Sequence, residues 1–235
     1  MKGAFIGSFR GIDDTELPAE SRPIPGDYEA WVRTTLASLR PRDEGIVRFV
    51  RPRPTAAFSL QDTLHPHYKS VQNQVLEYGF APVERSTGGR LAIFDENALV
   101  ISILAAHPDP REHIIERYQI FANILANTLM LFGIDARIGE LPYEYCPGRF
   151  SLNASGRLKL AGMAQRISRT SFQIEALLCV TRSSPACTAL AAAYAGLELQ
   201  YDPHTYGSLT DVQPTLDYGQ VKTTFKDAVT AALSG

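Results

Sequence analysis

The chain has 235 residues, with 23 Lys and Arg against 25 Asp and Glu, 45% apolar and 20% charged residues. Such a composition is ordinary for a globular protein with a sizeable core, and the near-even charge lacks the basic excess of nucleic-acid binders. The most apolar stretch, 121–134, is broken by Asn123, Asn127 and Thr128 and is too short to span a bilayer. Lys2 opens a short apolar run that Arg10, Asp13 and Asp14 end too early for a signal peptide. Cys146, Cys179 and Cys187 are odd in number and lack metal-ligand spacing, which fits a reducing compartment. The expectation is a cytoplasmic protein with no metal or other cofactor and with neither nucleic acid nor membrane as partner.

In chain order, 27–39 reads as a helix, because Tyr28, Trp31, Val32, Leu36 and Leu39 share one face and Pro41 stops it. Strand-like runs at 46–50 and 55–60 flank Arg51-Pro52-Arg53-Pro54. A helix over 66–78 aligns Tyr68, Val71 and Val75, with Gly79 as its cap. Residues 81–84 are strand-like, and 91–95 with 99–104 read as an antiparallel hairpin turning at Glu96-Asn97. The clearest helix starts at Asp109-Pro110-Arg111-Glu112, a capping pattern, and carries the stripe Ile114, Tyr118, Phe121, Leu125, Leu129 and Phe132 up to Gly133. Strands are expected at 150–153, 158–161 and 172–181, and helices at 185–195 and 220–233. Strands clustered in hairpins with helices between the clusters predict an α+β fold. No linker-like break divides the chain, so 1–235 is expected to form one domain.

Three stretches are candidates for chemistry. In Arg85-Ser86-Thr87-Gly88-Gly89-Arg90 the paired glycines let backbone approach a ligand, although a plain tight turn explains them equally well. Neither dinucleotide-binding nor Walker spacing is met. In Tyr143-Glu144-Tyr145-Cys146-Pro147-Gly148 a thiol sits in a Pro/Gly loop, and it becomes a nucleophile only beside a cation or base. In Leu158-Lys159-Leu160-Ala161-Gly162-Met163-Ala164-Gln165 a lysine interrupts an apolar strand on the face opposite Leu158 and Leu160. A solvent-facing lysine fits that pattern too.

In order and spacing, these stretches resemble the biotin/lipoate protein ligase superfamily, and its octanoyl and lipoyl transferase branch in particular. The first, followed by Asp95, is similar to the family's Arg-rich Gly-Gly loop, and Tyr145-Cys146-Pro147-Gly148 to the branch's cysteine loop. The third, similar to the family's Lys–(Ala/Ser)–Gly–Gln segment, is the most specific. The likeness covers about 48–180. It implies a mainly antiparallel sheet flanked by helices, as in class II synthetase and biotin protein ligase catalytic domains. It also implies transfer of an octanoyl or lipoyl group onto a lysine of a lipoyl domain or glycine-cleavage H protein. The donor would be acyl carrier protein or octanoylated or lipoylated H protein. Cys146 would hold the acyl group as a thioester and Lys159 would hydrogen-bond its carbonyl oxygen. Arg85, Ser86, Thr87, Gly88, Gly89, Ala161 and Gly162 would border the substrate. Glu84, Arg90 and Phe94 replace residues usual in the ATP-dependent lipoate ligases, so that reading comes second. A non-catalytic acyl- or lipoyl-domain-binding module comes third, because both Cys146 and Lys159 are kept. Cys179, among apolar neighbours, is the minor candidate nucleophile.

Overall fold

The computed structural model describes residues 3–234; Lys2 and the outermost residues of the expected domain lie outside the described residues. The chain runs β1 (Phe9–Asp13), α1 (Pro25–Ser38), β2 (Gly45–Val50), β3 (Thr55–Phe58), α2 (Leu60–Thr63), α3 (Tyr68–Glu77), β4 (Ala81–Glu84), β5 (Ala92–Phe94), β6 (Ala98–Ala106), α4 (Ile114–Leu131), β7 (Ala136–Ile138), β8 (Leu152–Ala154), β9 (Leu158–Ile167), β10 (Ser171–Cys179), α5 (Ser184–Gly196), α6 (Leu209–Val212) and α7 (Tyr218–Ser234). Seven strands form one sheet in the order β1-β2-β6-β10-β9-β8-β7, and three form a second in the order β4-β3-β5. In the large sheet β1 runs parallel to β2, and the other described pairings are antiparallel. The fold is α+β, a mainly antiparallel sheet flanked by helices.

Alternation along the central strands explains the layering. All nine residues of β6 are buried, so both faces of the sheet are covered. Leu99, Ile101 and Ile103 enter a core with Phe121, Leu125 and Leu129 of α4 and Phe225 and Val229 of α7. The small sheet, α3 and α5 share a second core, built from Phe58, Val71, Ile93, Leu190 and Tyr194. The Pro-rich segment 51–54 carries the chain from β2 in the large sheet to β3 in the small one. Among the described residues no helix is long and apolar enough to cross a membrane.

Three local expectations are corrected. The strands at 91–95 and 99–104 do not form a hairpin, since β5 pairs with β3 while β6 lies between β2 and β10. The Asp95 carboxylate accepts from Asn97 N at 2.9 Å and from the Ser183 hydroxyl, which fixes a turn carrying the chain between sheets. The helix expected from Asp109 starts at Ile114, because Asp109 accepts from Arg111 N at 3.0 Å in a turn of its own. The strand expected to reach residue 60 ends at Phe58, where Ser59 and Asp62 form a capping box that opens α2.

Candidate active site

The loop between β7 and β8 folds around a buried carboxylate. Glu144, 1% exposed, accepts from Leu141 N at 3.0 Å and from Ser151 Oγ at 2.5 Å. Its counter-charge comes from β9, where Leu158 and Leu160 pack toward the α4 core and Lys159 takes the opposite face, 0% exposed. An ammonium has three donors. Those of Lys159 meet Glu144 Oε1 at 2.9 Å, the Tyr145 carbonyl at 2.8 Å and the Cys146 carbonyl at 2.8 Å. The amine also lies 4.5 Å from the centre of the Tyr145 ring. This lysine is a buried tie between a strand and the cysteine loop, not a solvent-facing side chain.

Cys146 has φ +42° and Tyr143 φ +59°, both in the left-handed region. For residues with a side chain such backbone costs on the order of 1–3 kcal/mol and persists only where its surroundings enforce it. Here Lys159 grips the Cys146 carbonyl, while the cysteine's amide donates to the Tyr194 hydroxyl at 2.6 Å. Tyr194, from α5, donates in turn to the Leu91 carbonyl at 2.9 Å. The sulfur is thereby aimed at the Gly-Gly loop, where Arg90 N–H and the Arg85 guanidinium each donate to it at 3.3 Å. Gly89 has φ +103°, and a Cβ there would lie 2.7 Å from Cys146 Sγ and 2.7 Å from Arg85 Nη2. Only glycine lets the loop close over the thiol. Ser86 anchors that loop to α1, its N–H and hydroxyl both donating to Glu29 Oε2 at 3.1 Å.

The two candidate thiols differ in electrostatics. Burial raises the Cys146 thiol, but the Arg85 and Lys159 charges and the Arg90 N–H outweigh it and hold the group below its ordinary value. Burial pushes Cys179 up to about 12, with the hydrogen bond to Tyr206 Oη at 3.4 Å opposing and the Asp95 and Asp211 charges reinforcing that rise. At neutral pH iodoacetamide should therefore alkylate Cys146 well ahead of Cys179, as read by peptide mass. Arg85→Met should move the alkylation midpoint of Cys146 to higher pH; an unmoved midpoint would remove Arg85 from this role.

Arg85 also lines a cavity between the two sheets. Val50, Val100 and Leu177 of the large sheet and Ala57, Val83 and Phe94 of the small one give it a largely apolar wall. Besides Arg85, its polar members are Tyr28, Glu29, Arg53, Thr55 and Glu175.

Of the expected site residues, Arg85, Gly89, Cys146 and Lys159 come together. Gly162 adjoins them, as its Cβ position lies 3.4 Å from Lys159 Cε. Ser86 and the buried Thr87 belong to the same loop, whose Gly88 is exposed with open space around it. Ala161 lies elsewhere, fully buried in the α4-side core. Gln165 also faces that core, accepting from Arg117 Nε at 2.7 Å and donating to the Ile114 carbonyl at 3.2 Å. Glu144 and Tyr194 were missed. An acid two positions before the cysteine was a readable signal for the first, whereas nothing local marks Tyr194. Among the described residues no group of three or more His, Cys, Asp or Glu is placed to hold a metal ion.

The family model described as "Lipoyl protein ligase A/B catalytic domain" matches residues 29–229. An octanoyl-[GcvH]:protein N-octanoyltransferase of Exiguobacterium sp. strain AT1b is 28% identical over 229 residues, covering 96% of this chain and 80% of the relative. A protein of the same name from Anoxybacillus flavithermus is 31% identical over 144 residues, covering 60% of this chain and half of the relative. Among solved structures, lipoate-protein ligase A bound with ATP superposes with TM-score 0.71 at 17% identity, covering 97% of this chain and 85% of that one. A bipartite lipoate protein ligase of Thermoplasma acidophilum superposes with TM-score 0.67 at 17% identity, covering 98% and 84%. At those identities the structural likeness is one of fold.

Proposed function

Because the chain belongs to the lipoyl protein ligase A/B catalytic domain family, we propose that it is an acyltransferase of protein lipoylation, working as a single catalytic domain through a thioester on Cys146. One observation carries this reading. The Cys146 thiol is held in left-handed backbone beside Arg85 and the buried Lys159, and Arg85 borders an apolar cavity. Relatives bearing an octanoyltransferase name support the choice of acyl group.

The donor is octanoylated H protein and the acceptor a lipoyl-domain lysine, and the reaction belongs in the cytoplasm. The Cys146 thiolate attacks the octanoyl carbonyl, the bond to the donor's lysine nitrogen breaks, and that nitrogen leaves with a proton from solvent. The acceptor's neutral amine then attacks the thioester, giving up a proton and restoring the thiolate. In both steps negative charge grows on the carbonyl oxygen. Lys159 stabilises it by its charge, and bonds it directly when an ammonium hydrogen turns from the Cys146 carbonyl. Losing one such donor typically costs about 3 kcal/mol of transition-state stabilisation. Residues 85–89 and Gly162 border the acyl group.

The test is intact-protein mass spectrometry after mixing the protein with octanoylated H protein in the absence of ATP. An octanoyl adduct that maps to Cys146 and is discharged by a lipoyl domain is the expected result. An adduct formed only from octanoyl-acyl carrier protein would replace the donor. No adduct from either, with modification appearing only on addition of ATP and lipoate, would overturn the transferase in favour of a ligase. No transfer under any of these conditions would leave a binding module.

A further inference from the structure

The cavity wall changes character one step along β10. Cross-strand register sets Val50, Val100 and Leu177 in one row, and Arg48, Ser102 and Glu175 in the next. Leu177 packs against the cluster that contains Tyr145 and Cys179 and that Cys146 also touches. Glu175, two residues back, stands about 7 Å further along the strand. Its carboxyl accepts from the Tyr28 hydroxyl at 2.6 Å and from Gln173 Nε2 at 3.1 Å. Gln173 Nε2 also donates to Ser102 Oγ at 3.0 Å, and the buried Gln173 Oε1 has no partner. An apolar row that begins beside the nucleophile's cluster thus runs into a polar row, and both Glu175 and Tyr28 line the cavity.

We propose that Glu175, oriented by Tyr28, sets the length of the acyl chain that the cavity accepts. This rests on the acyltransferase reading above. A chain that runs from the cysteine's cluster along β10 crosses the apolar row first, and a longer one must press its terminal methylenes onto a hydrogen-bonded carboxyl and strip it of solvent. The groups facing Glu175 are Tyr28 and Glu29 from α1, Arg85 from the Gly-Gly loop, Ser102 from β6 and Gln173 from its own strand. Arg48, from β2, is paired with Asp14 and lies over the Tyr28 and Trp31 rings. Burial raises the Glu175 carboxyl to about 7, with the Tyr28 hydrogen bond opposing and the Glu29 charge reinforcing that rise. The penalty on a long chain therefore grows with pH, because an ionised carboxylate resists desolvation more than a neutral acid.

The experiment compares kcat/KM for dodecanoyl and octanoyl transfer from acylated H protein, using the ratio as the readout whatever the absolute rates. Glu175→Leu should raise the dodecanoyl-to-octanoyl ratio roughly tenfold or more. Glu175→Gln, still polar but unable to ionise, should keep a ratio near that of wild type at pH 6. In wild type the ratio should fall between pH 6 and pH 8, and that slope should vanish in Glu175→Gln. A ratio unchanged in a folded Glu175→Leu variant overturns the proposal. Should that variant not fold, a flat wild-type ratio across pH overturns it. Absence of octanoyl transfer by wild type is a different result, and takes the acyltransferase reading down along with this one.

Discussion

Cys146→Ala is expected to lower octanoyl transfer by roughly 10⁴-fold or more, the scale seen when an enzyme loses its nucleophile. The fold should hardly notice. Cys146 is half-buried, and of the two donors that serve its sulfur Arg85 Nη2 also donates to the Arg90 carbonyl at 2.6 Å. The carbonyl and amide of residue 146 retain Lys159 and Tyr194 whatever its side chain. Single-turnover transfer measured beside a thermal melt separates chemistry from folding. Transfer within about tenfold of wild type would remove Cys146 as nucleophile. Cys179→Ala is the control, and full activity is expected of it, because burial keeps that thiol protonated at neutral pH.

The other large effect lies beneath the cysteine. Lys159→Met should destabilise the protein by about 3–5 kcal/mol, since it strands the buried Glu144 carboxylate without its counter-charge. It also releases the Tyr145 and Cys146 carbonyls, so the left-handed backbone at Cys146 loses one of its two holds. Pairing Lys159→Met with Glu144→Gln removes the orphaned charge and should restore most of the stability without restoring transfer. Denaturant unfolding of the two single variants and the double variant, with transfer rates for each, tests this as a double-mutant cycle. A single-variant loss under about 1 kcal/mol would show that Lys159 does not prop the loop, and a double variant that regains activity would show that it does not serve the reaction.

What the sequence disclosed depended on how local the cause was. The burial of Phe121, Leu125 and Leu129 follows from 3.6-residue spacing within one helix, and the side taken by Lys159 from alternation within one strand. Ala161 broke the same rule. Leu152 pairs with Ala161 and Asn153 with Lys159, which leaves Leu160 as an extra residue in a bulge. Leu160 and Ala161 consequently enter the same core, and Ala161 cannot border a substrate on the other face. The motif's Gln165 also serves the far side, where it accepts from Arg117 Nε, so one stretch of sequence carries a site residue and a core fastening together. The supposed hairpin failed because pairing partners are chosen by the whole sheet. Residues 92–94 match β3 and residues 98–106 match β2 and β10, and neither partner is adjacent in the chain. Tyr194 and Glu175 act on neighbours many residues away, through contacts that periodicity does not encode.

Cys146 is suspended between two bodies of the protein. Its carbonyl hangs from β9 of the large sheet through Lys159, and its amide from α5 beside the small sheet through Tyr194. The thiol's location is thus a difference measurement, set by where one layer stands relative to the other. A substitution deep in either core that shifts the layers by a few tenths of an ångström would mis-aim the sulfur while leaving every residue around it unchanged. Small residues such as Ala189 and Ala193, which seat α5 in its core, are in this sense part of the alignment of the reaction although they touch none of the reacting atoms.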